Sequence, residues 1–330
     1  MEDVISRRRY IMGLAAAGLG LSLPLPVMAD GRFGRNYLEP CTVYPKYPSH
    51  VKFYVHGRYR YCDTNDIPDH KVGRFPDRGC PNAIRPQNLR FRMPLRPRLR
   101  SETTPVENWE FYGVALDGVV FDPGTAGFWH HQRGSIWNFA VLTGFGNLGL
   151  DQSHGHVQSD GMYHYHGLPT VLVHQLHGWN KVTLIGYAAD GFPIYAPWGY
   201  SRADDANSEV KLLRSSYRLK EGNRPSPPAG PDGRYDGRYT GDFEYVAGYG
   251  DLDEANGRTG VTPEYPDGTY YYVVTQEFPF IGRLFRGRPD YSFRKHAQHL
   301  RRPRHSHGGG GRGRGPGGMG PPFFPPGRGF

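Results

Sequence analysis

The stretch Asp151-Gln-Ser-His154-Gly-His156-Val-Gln-Ser-Asp160-Gly161-Met-Tyr163-His164-Tyr165-His166-Gly167 sets four histidines within thirteen residues, two on either side of an Asp-Gly turn. Side chains alternate along a strand, so His154 and His156 share one face, and His164 and His166 share one face. Whether the pairs meet depends on the turn. A two-residue Asp160-Gly161 loop sets His164 opposite Val157 and sends the pairs to opposite faces. A three-residue Ser159-Asp160-Gly161 loop instead sets His156 opposite His164 and His154 opposite His166. Gly161 falls where the longer loop needs a positive φ, so the sequence favours a hairpin with four imidazoles on one face. Two His-x-His pairs flanking a turn point to a metal site. His154, His156, His164 and His166 are its expected ligands, and Asp151 a further ligand or the acceptor that orients an imidazole. Tyr163 and Tyr165 alternate to the other face, where they should pack and not ligate.

Outward from this hairpin, short aromatic and β-branched runs are divided by glycine turns. Asp117-Gly118, Asp190-Gly191 and Asp267-Gly268 each border such runs, and Asp-Gly between apolar runs is a strong hairpin signal. One helix is expected around Leu168 to Gly178, with Pro169 near its start and Leu172, Leu176 and Trp179 along one stripe. The expected class is mainly β: a two-layer β-sandwich or distorted barrel over residues 103–293, with one short helix. Residues 30–102, rich in Pro, Arg and Tyr, read as an irregular extension packed against that domain.

The ends of the chain carry different signals. Ser6-Arg7-Arg8-Arg9-Tyr10-Ile11-Met12 is a twin-arginine pattern, followed by an apolar run to Val27 and a small-residue site at Val27-Met28-Ala29. Gly18, Gly20, Pro24 and Pro26 interrupt that run, which argues against a lasting membrane span and for cleavage after Ala29. The expected partner is the twin-arginine export machinery, and the expected location periplasmic or secreted. The formal charge of +9 is uneven. With three arginines and two acids of residues 1–29 and eight basic residues of 294–330 set aside, residues 30–293 hold 29 basic and 29 acidic side chains. A neutral body argues against a nucleic-acid partner. The basic Gly/Pro/Arg-rich tail, residues 294–330, lacks apolar periodicity and reads as disordered; it suits an envelope glycan or anionic surface.

Cys41, Cys62 and Cys80 are the only cysteines, and an oxidising compartment favours one disulfide among them, with any of three pairings open. His130, His131, His174 and His177 are further ligand candidates, ranked below the hairpin. Asp251 to Gly257 resembles a calcium loop, but its spacing departs from the EF-hand, and a solvated turn is the default. No Gly-x-Ser-x-Gly elbow, no phosphate loop and no dinucleotide fingerprint in a strand-to-helix setting is present, so hydrolase and nucleotide readings lack support.

Gly161-Met-Tyr163-His164-Tyr165-His166-Gly167 resembles the signature of the YHYH domain family, found in many bacterial exported proteins. Asn147-Leu-Gly-Leu-Asp151-Gln-Ser-His154-Gly-His156, Gly186-Tyr-Ala-Ala-Asp190-Gly-Phe-Pro-Ile-Tyr195, Leu252-Asp253-Glu254-Ala-Asn256-Gly257 and Thr262-Pro-Glu264-Tyr-Pro-Asp-Gly268-Thr-Tyr-Tyr-Tyr272 fit the same family, so the likeness spans about residues 108–290. It implies a fold and no particular reaction. The residues point to a periplasmic metal-binding protein, with a copper- or zinc-dependent enzyme as the extension of that expectation and copper favoured over zinc for an exported imidazole site. The competing expectation is a non-enzymatic envelope module that binds glycan or protein and keeps its histidines for structure. Replacing Arg7 and Arg8 together by Lys is expected to strand the chain in the cytoplasm, because the export receptor reads the pair and not the charge. Unchanged delivery on cell fractionation would refute the signal.

Overall fold

The computed structural model describes residues 38–125, 127–144 and 148–299. The twin-arginine segment and residues 300–330 of the tail lie outside these. In chain order the strands are β1 (Val51–His56), β2 (Tyr59–Thr64), β3 (Leu89–Pro94), β4 (Thr104–Pro105), β5 (Gly113–Ala115), β6 (Val120–Phe121), β7 (Gly155–Val157) and β8 (Tyr163–Tyr165). They continue as β9 (Leu184–Ala188), β10 (Pro193–Tyr195), β11 (Trp198–Tyr200), β12 (Val210–Leu212), β13 (Tyr217–Leu219), β14 (Phe243–Tyr245), β15 (Gly257–Thr262), β16 (Tyr265–Val273) and β17 (Leu284–Phe285). Two helices, α1 (Thr170–Gln175) and α2 (Lys295–His299), accompany them.

A mixed eight-stranded sheet in the order β15-β16-β10-β9-β5-β6-β8-β7 forms the main layer. The antiparallel β1-β2-β3 sheet forms the second, and one apolar cluster joins Cys62, Leu89, Phe91 and Met93 to Phe111, Val114, Phe121 and Tyr165. The mainly β, layered class expected from the sequence is what the chain adopts. Gly118 and Gly191, at φ +86° and +94°, make the expected Asp-Gly turns between β5 and β6 and between β9 and β10. Asp267-Gly268 does not make one. It lies inside β16, and the chain reverses between Thr262 and Tyr265 after a register shift at Gly260.

Residues 30–102 were expected to be irregular, and three strands correct that. Their signal was masked by arginine: along β3, Leu89, Phe91 and Met93 point into the core while Arg90 and Arg92 take the other face, a period of two that reads as basic low complexity. Phe91 lies 4.6 Å from Phe293 and 6.2 Å from Phe111 between ring centroids, which locks the two layers. The tail boundary also moves. Residues 295–299 form α2, and the Gln298 amide takes the free edge of β3, accepting from the Arg90 N–H at 3.2 Å and donating to its carbonyl at 3.0 Å. An unpaired edge needs such cover, and a side-chain amide can supply both polarities.

No cysteine is paired. Cys62 is packed in the core, the Cys80 thiol donates to the Val157 carbonyl at 3.3 Å, and the Cys41 thiol lies 3.9 Å from the Ser153 hydroxyl. The expected disulfide is thus corrected to three thiols in separate surroundings, where burial raises the pKa of each. Phe91→Ala should cost about 3–5 kcal/mol in urea unfolding, because it opens a cavity between the layers. A loss below about 1 kcal/mol would mean that the first 100 residues are a detachable appendage.

Candidate metal centre

The hairpin β7–β8 has the longer of the two loops considered above. His156 pairs with His164, Gly155 with Tyr165 and Val157 with Tyr163. The Met162 carbonyl accepts from the Gln158 N–H at 2.9 Å, and Gly161 has φ +90°. The Asp160 carboxylate accepts from the Met162 N–H at 3.1 Å, closing the turn as Asp-Gly sequences do.

On one face of β8 stand Tyr163 and Tyr165, both fully buried. Tyr163 donates to Asp151 Oδ2 at 2.8 Å and Tyr165 to Asp117 Oδ2 at 2.6 Å, while His70 Nε2 lies 2.6 Å from the Tyr165 oxygen. Burial opposes charge on both His70 and Asp117, but their mutual hydrogen bond and attraction outweigh it. The net effect raises the His70 pKa and lowers that of Asp117. Gly155 is needed for this packing: any Cβ there would collide with the Tyr163 ring.

On the other face, His164 and His166 are 2% and 4% exposed, and His156 reaches across from β7. The Nε2 atoms of His164 and His166 lie 3.0 Å apart, and those of His166 and His156 3.1 Å apart. His156, His164 and His166 are the one group of three or more potential metal-binding side chains with converging ligand atoms among the described residues. His156 Nδ1 lies 2.9 Å from the Leu148 carbonyl, so it carries the proton and leaves Nε2 with a lone pair. His164 Nδ1 approaches the Met162 carbonyl at 3.4 Å, and buried His166 Nδ1 has no hydrogen-bond partner. Burial depresses all three imidazoles; at His164 and His166 the neighbouring imidazoles and Lys295 add to it and hold both well below the ordinary range, whereas at His156 the Leu148 carbonyl and nearby carboxylates partly oppose it. They are therefore neutral donors at neutral pH.

Two of the five expected ligands stand outside this group. His154 pairs in register with His166 through a 2.8 Å bond from the His166 N–H to its carbonyl, yet its φ of +55° takes it out of the extended strand. Its Nδ1 meets the Leu168 carbonyl at 2.8 Å instead. Asp151 also stands outside the cluster, and no imidazole is among its hydrogen-bond partners. Its four partners are the N–H groups of Gly73 (3.0 Å), Ser153 (2.9 Å) and Gly155 (3.1 Å) and the Tyr163 hydroxyl. His130, His131, His174 and His177 do not join the cluster. Asp253, in the calcium-like segment, accepts from the Ala255 and Gly257 N–H groups and from Tyr270, a structural turn. Sequence reasoning missed Asp122 and Lys295 beside the centre; neither carries a motif. A surface groove of about 780 Å³ around Lys52, Asp63 and Arg90 is lined by none of the three histidines.

A mixed β protein with three converging imidazoles, two buried and one half-buried, is the class that fold and site define. The family model described as YHYH protein matches residues 90–287, and the chain belongs to that family. Neither the curated proteins nor the solved structures contain a match.

The unfolded chain protonates these imidazoles near pH ~6.5, whereas the folded chain resists protonation. Their contribution to stability is therefore complete above that pH and is lost as pH falls below it. In metal-free protein, the wild type should lose stability faster than His164→Gln between pH ~7 and ~5. Parallel melting curves for the two would show that His164 is not depressed.

Proposed function

We propose that this chain is a periplasmic or secreted metal-binding protein that holds one ion on the Nε2 atoms of His156, His164 and His166. The convergence of those three atoms carries the reading. Metal–nitrogen bonds of ~2.0–2.1 Å in tetrahedral geometry separate neighbouring nitrogens by about 3.3 Å, so the observed 3.0 and 3.1 Å need only a few tenths of an ångström of opening. Neutral imidazoles without thiolate suit copper first and zinc second.

In this reading the ion supplies Lewis acidity or redox chemistry at a position the three histidines leave open. The chain's own residues do the rest. The Leu148 carbonyl fixes the His156 tautomer, burial keeps the triad unprotonated, and Asp151 and Asp117 anchor the tyrosines that alternate with the ligands. Export by the twin-arginine machinery accords with a site filled before translocation, and the basic tail would meet anionic glycan or lipid outside. The envelope-module alternative gains nothing from three Nε2 atoms turned towards one another.

Equilibrium dialysis against Cu(II) or Zn(II), with metal content measured after desalting, tests the proposal. His156→Ala, His164→Ala and His166→Ala should each weaken binding by at least ~10–100-fold, while His154→Ala and Tyr165→Phe retain the stoichiometry. A wild-type protein that binds neither ion, or dependence on His154 in place of the triad, overturns it.

A further inference from the structure

Strand β6 runs parallel to β8, with Val120 opposite His164 and Phe121 opposite Tyr165. The next residue is Asp122, whose N–H donates to the Tyr165 carbonyl at 2.9 Å. That register sets Asp122 beside His166 on the triad's face of the sheet. Its side chain is 3% exposed and is held in three ways. The Gly124 N–H donates to Oδ1 at 3.2 Å, the Gln158 amide reaches Oδ2 at 3.5 Å, and the Lys295 ammonium donates to Oδ2 at 2.6 Å. Lys295 also donates to the Asn108 carbonyl at 2.9 Å. It comes from α2, nearly at the far end of the described chain, and its ammonium also lies 5.2 Å from the Phe111 ring centroid. The electrostatic influence of Asp122 reaches His156 and His166, and that of Lys295 reaches His164 and His166.

Resting on the metal reading above, we infer that Asp122 and Lys295 are a pair of positioning residues that set the charge of the centre and act on it with opposite sign. Three neutral imidazoles bring no charge, so an incoming cation interacts with this nearby carboxylate and this ammonium. The carboxylate favours the cation. The ammonium opposes it, and by engaging Oδ2 it also keeps Asp122 from turning to the ion as a fourth ligand. With both present their fields largely cancel, so the pair itself favours neither a divalent nor a monovalent ion, and removing either member unmasks the other. Coulomb energy scales with the charge of the ion, so any change in the pair moves a divalent ion twice as far, on a logarithmic scale, as a monovalent one.

The test uses the full mature chain and four proteins: wild type, Asp122→Asn, Lys295→Met and Lys295→Arg. Affinities for Zn(II) and, under anaerobic reducing conditions, Cu(I) are measured by competition with chromophoric chelators, and thermal melts confirm folding. Asp122→Asn should weaken Zn(II) about 10-fold and Cu(I) about 3-fold. Lys295→Met should strengthen Zn(II) by about 10-fold or more and Cu(I) less, whereas Lys295→Arg stays near wild type. Equal losses for both ions in Asp122→Asn, or weaker Zn(II) binding in a folded Lys295→Met, overturn the inference and leave the metal reading standing. Wild-type protein that binds neither ion overturns the metal reading, and the inference with it.

Discussion

The buried carboxylate of Asp151 is the contact on which the centre depends. Burial pushes its pKa upward, and four hydrogen bonds compensate by offering donors to both oxygens. Each donor comes from a part of the chain that must be held. Gly73 belongs to the N-terminal segment, Ser153 and Gly155 form the turn into β7, and Tyr163 is the first residue of β8. One carboxylate thus fixes where β7 begins, how β8 lies across it, and how the residues before β3 close over both. Asp117 does the same for Tyr165, with His70 on the third side. The two tyrosines of Tyr163-His164-Tyr165-His166 are pinned on one face, which fixes the backbone that carries the two histidines on the other.

The same contact explains why the hairpin was legible and the membership of its histidine cluster was not. Alternation and the Gly161 turn follow from period-two geometry and from the need for a positive φ, both local properties of the sequence. His154 sits at the correct period, yet the strand starts one residue later because Asp151 takes the Ser153 and Gly155 N–H groups and turns the chain between them. A side-chain cap of that kind has no periodicity, and Asp151 itself looked like a ligand because a carboxylate near histidines has the same signature whether it binds metal or backbone N–H groups. Non-local features were hidden for a different reason. Strand β3 was obscured by the arginines on its outward face, and α2 by the basic tail that follows it. The thiols appeared to need pairing because compartment was the only guide, whereas each is absorbed by its own surroundings.

The proton count at the triad gives the arrangement its direction. With its Nδ1 proton committed to the Leu148 carbonyl, His156 offers a bare lone pair at Nε2, and His164 tends the same way through Met162. His166 lies between them, and a single Nε2 proton can serve only one neighbour at a time. One close pair of lone pairs is then always unrelieved, and His166 Nδ1 is left without a donor. Protonating the cluster would relieve this, but burial resists an imidazolium. A cation held by all three lone pairs, as proposed, would remove the conflict and leave the His166 proton on Nδ1. The unrelieved lone pairs therefore favour the same kind of ligand that the proposed site would hold.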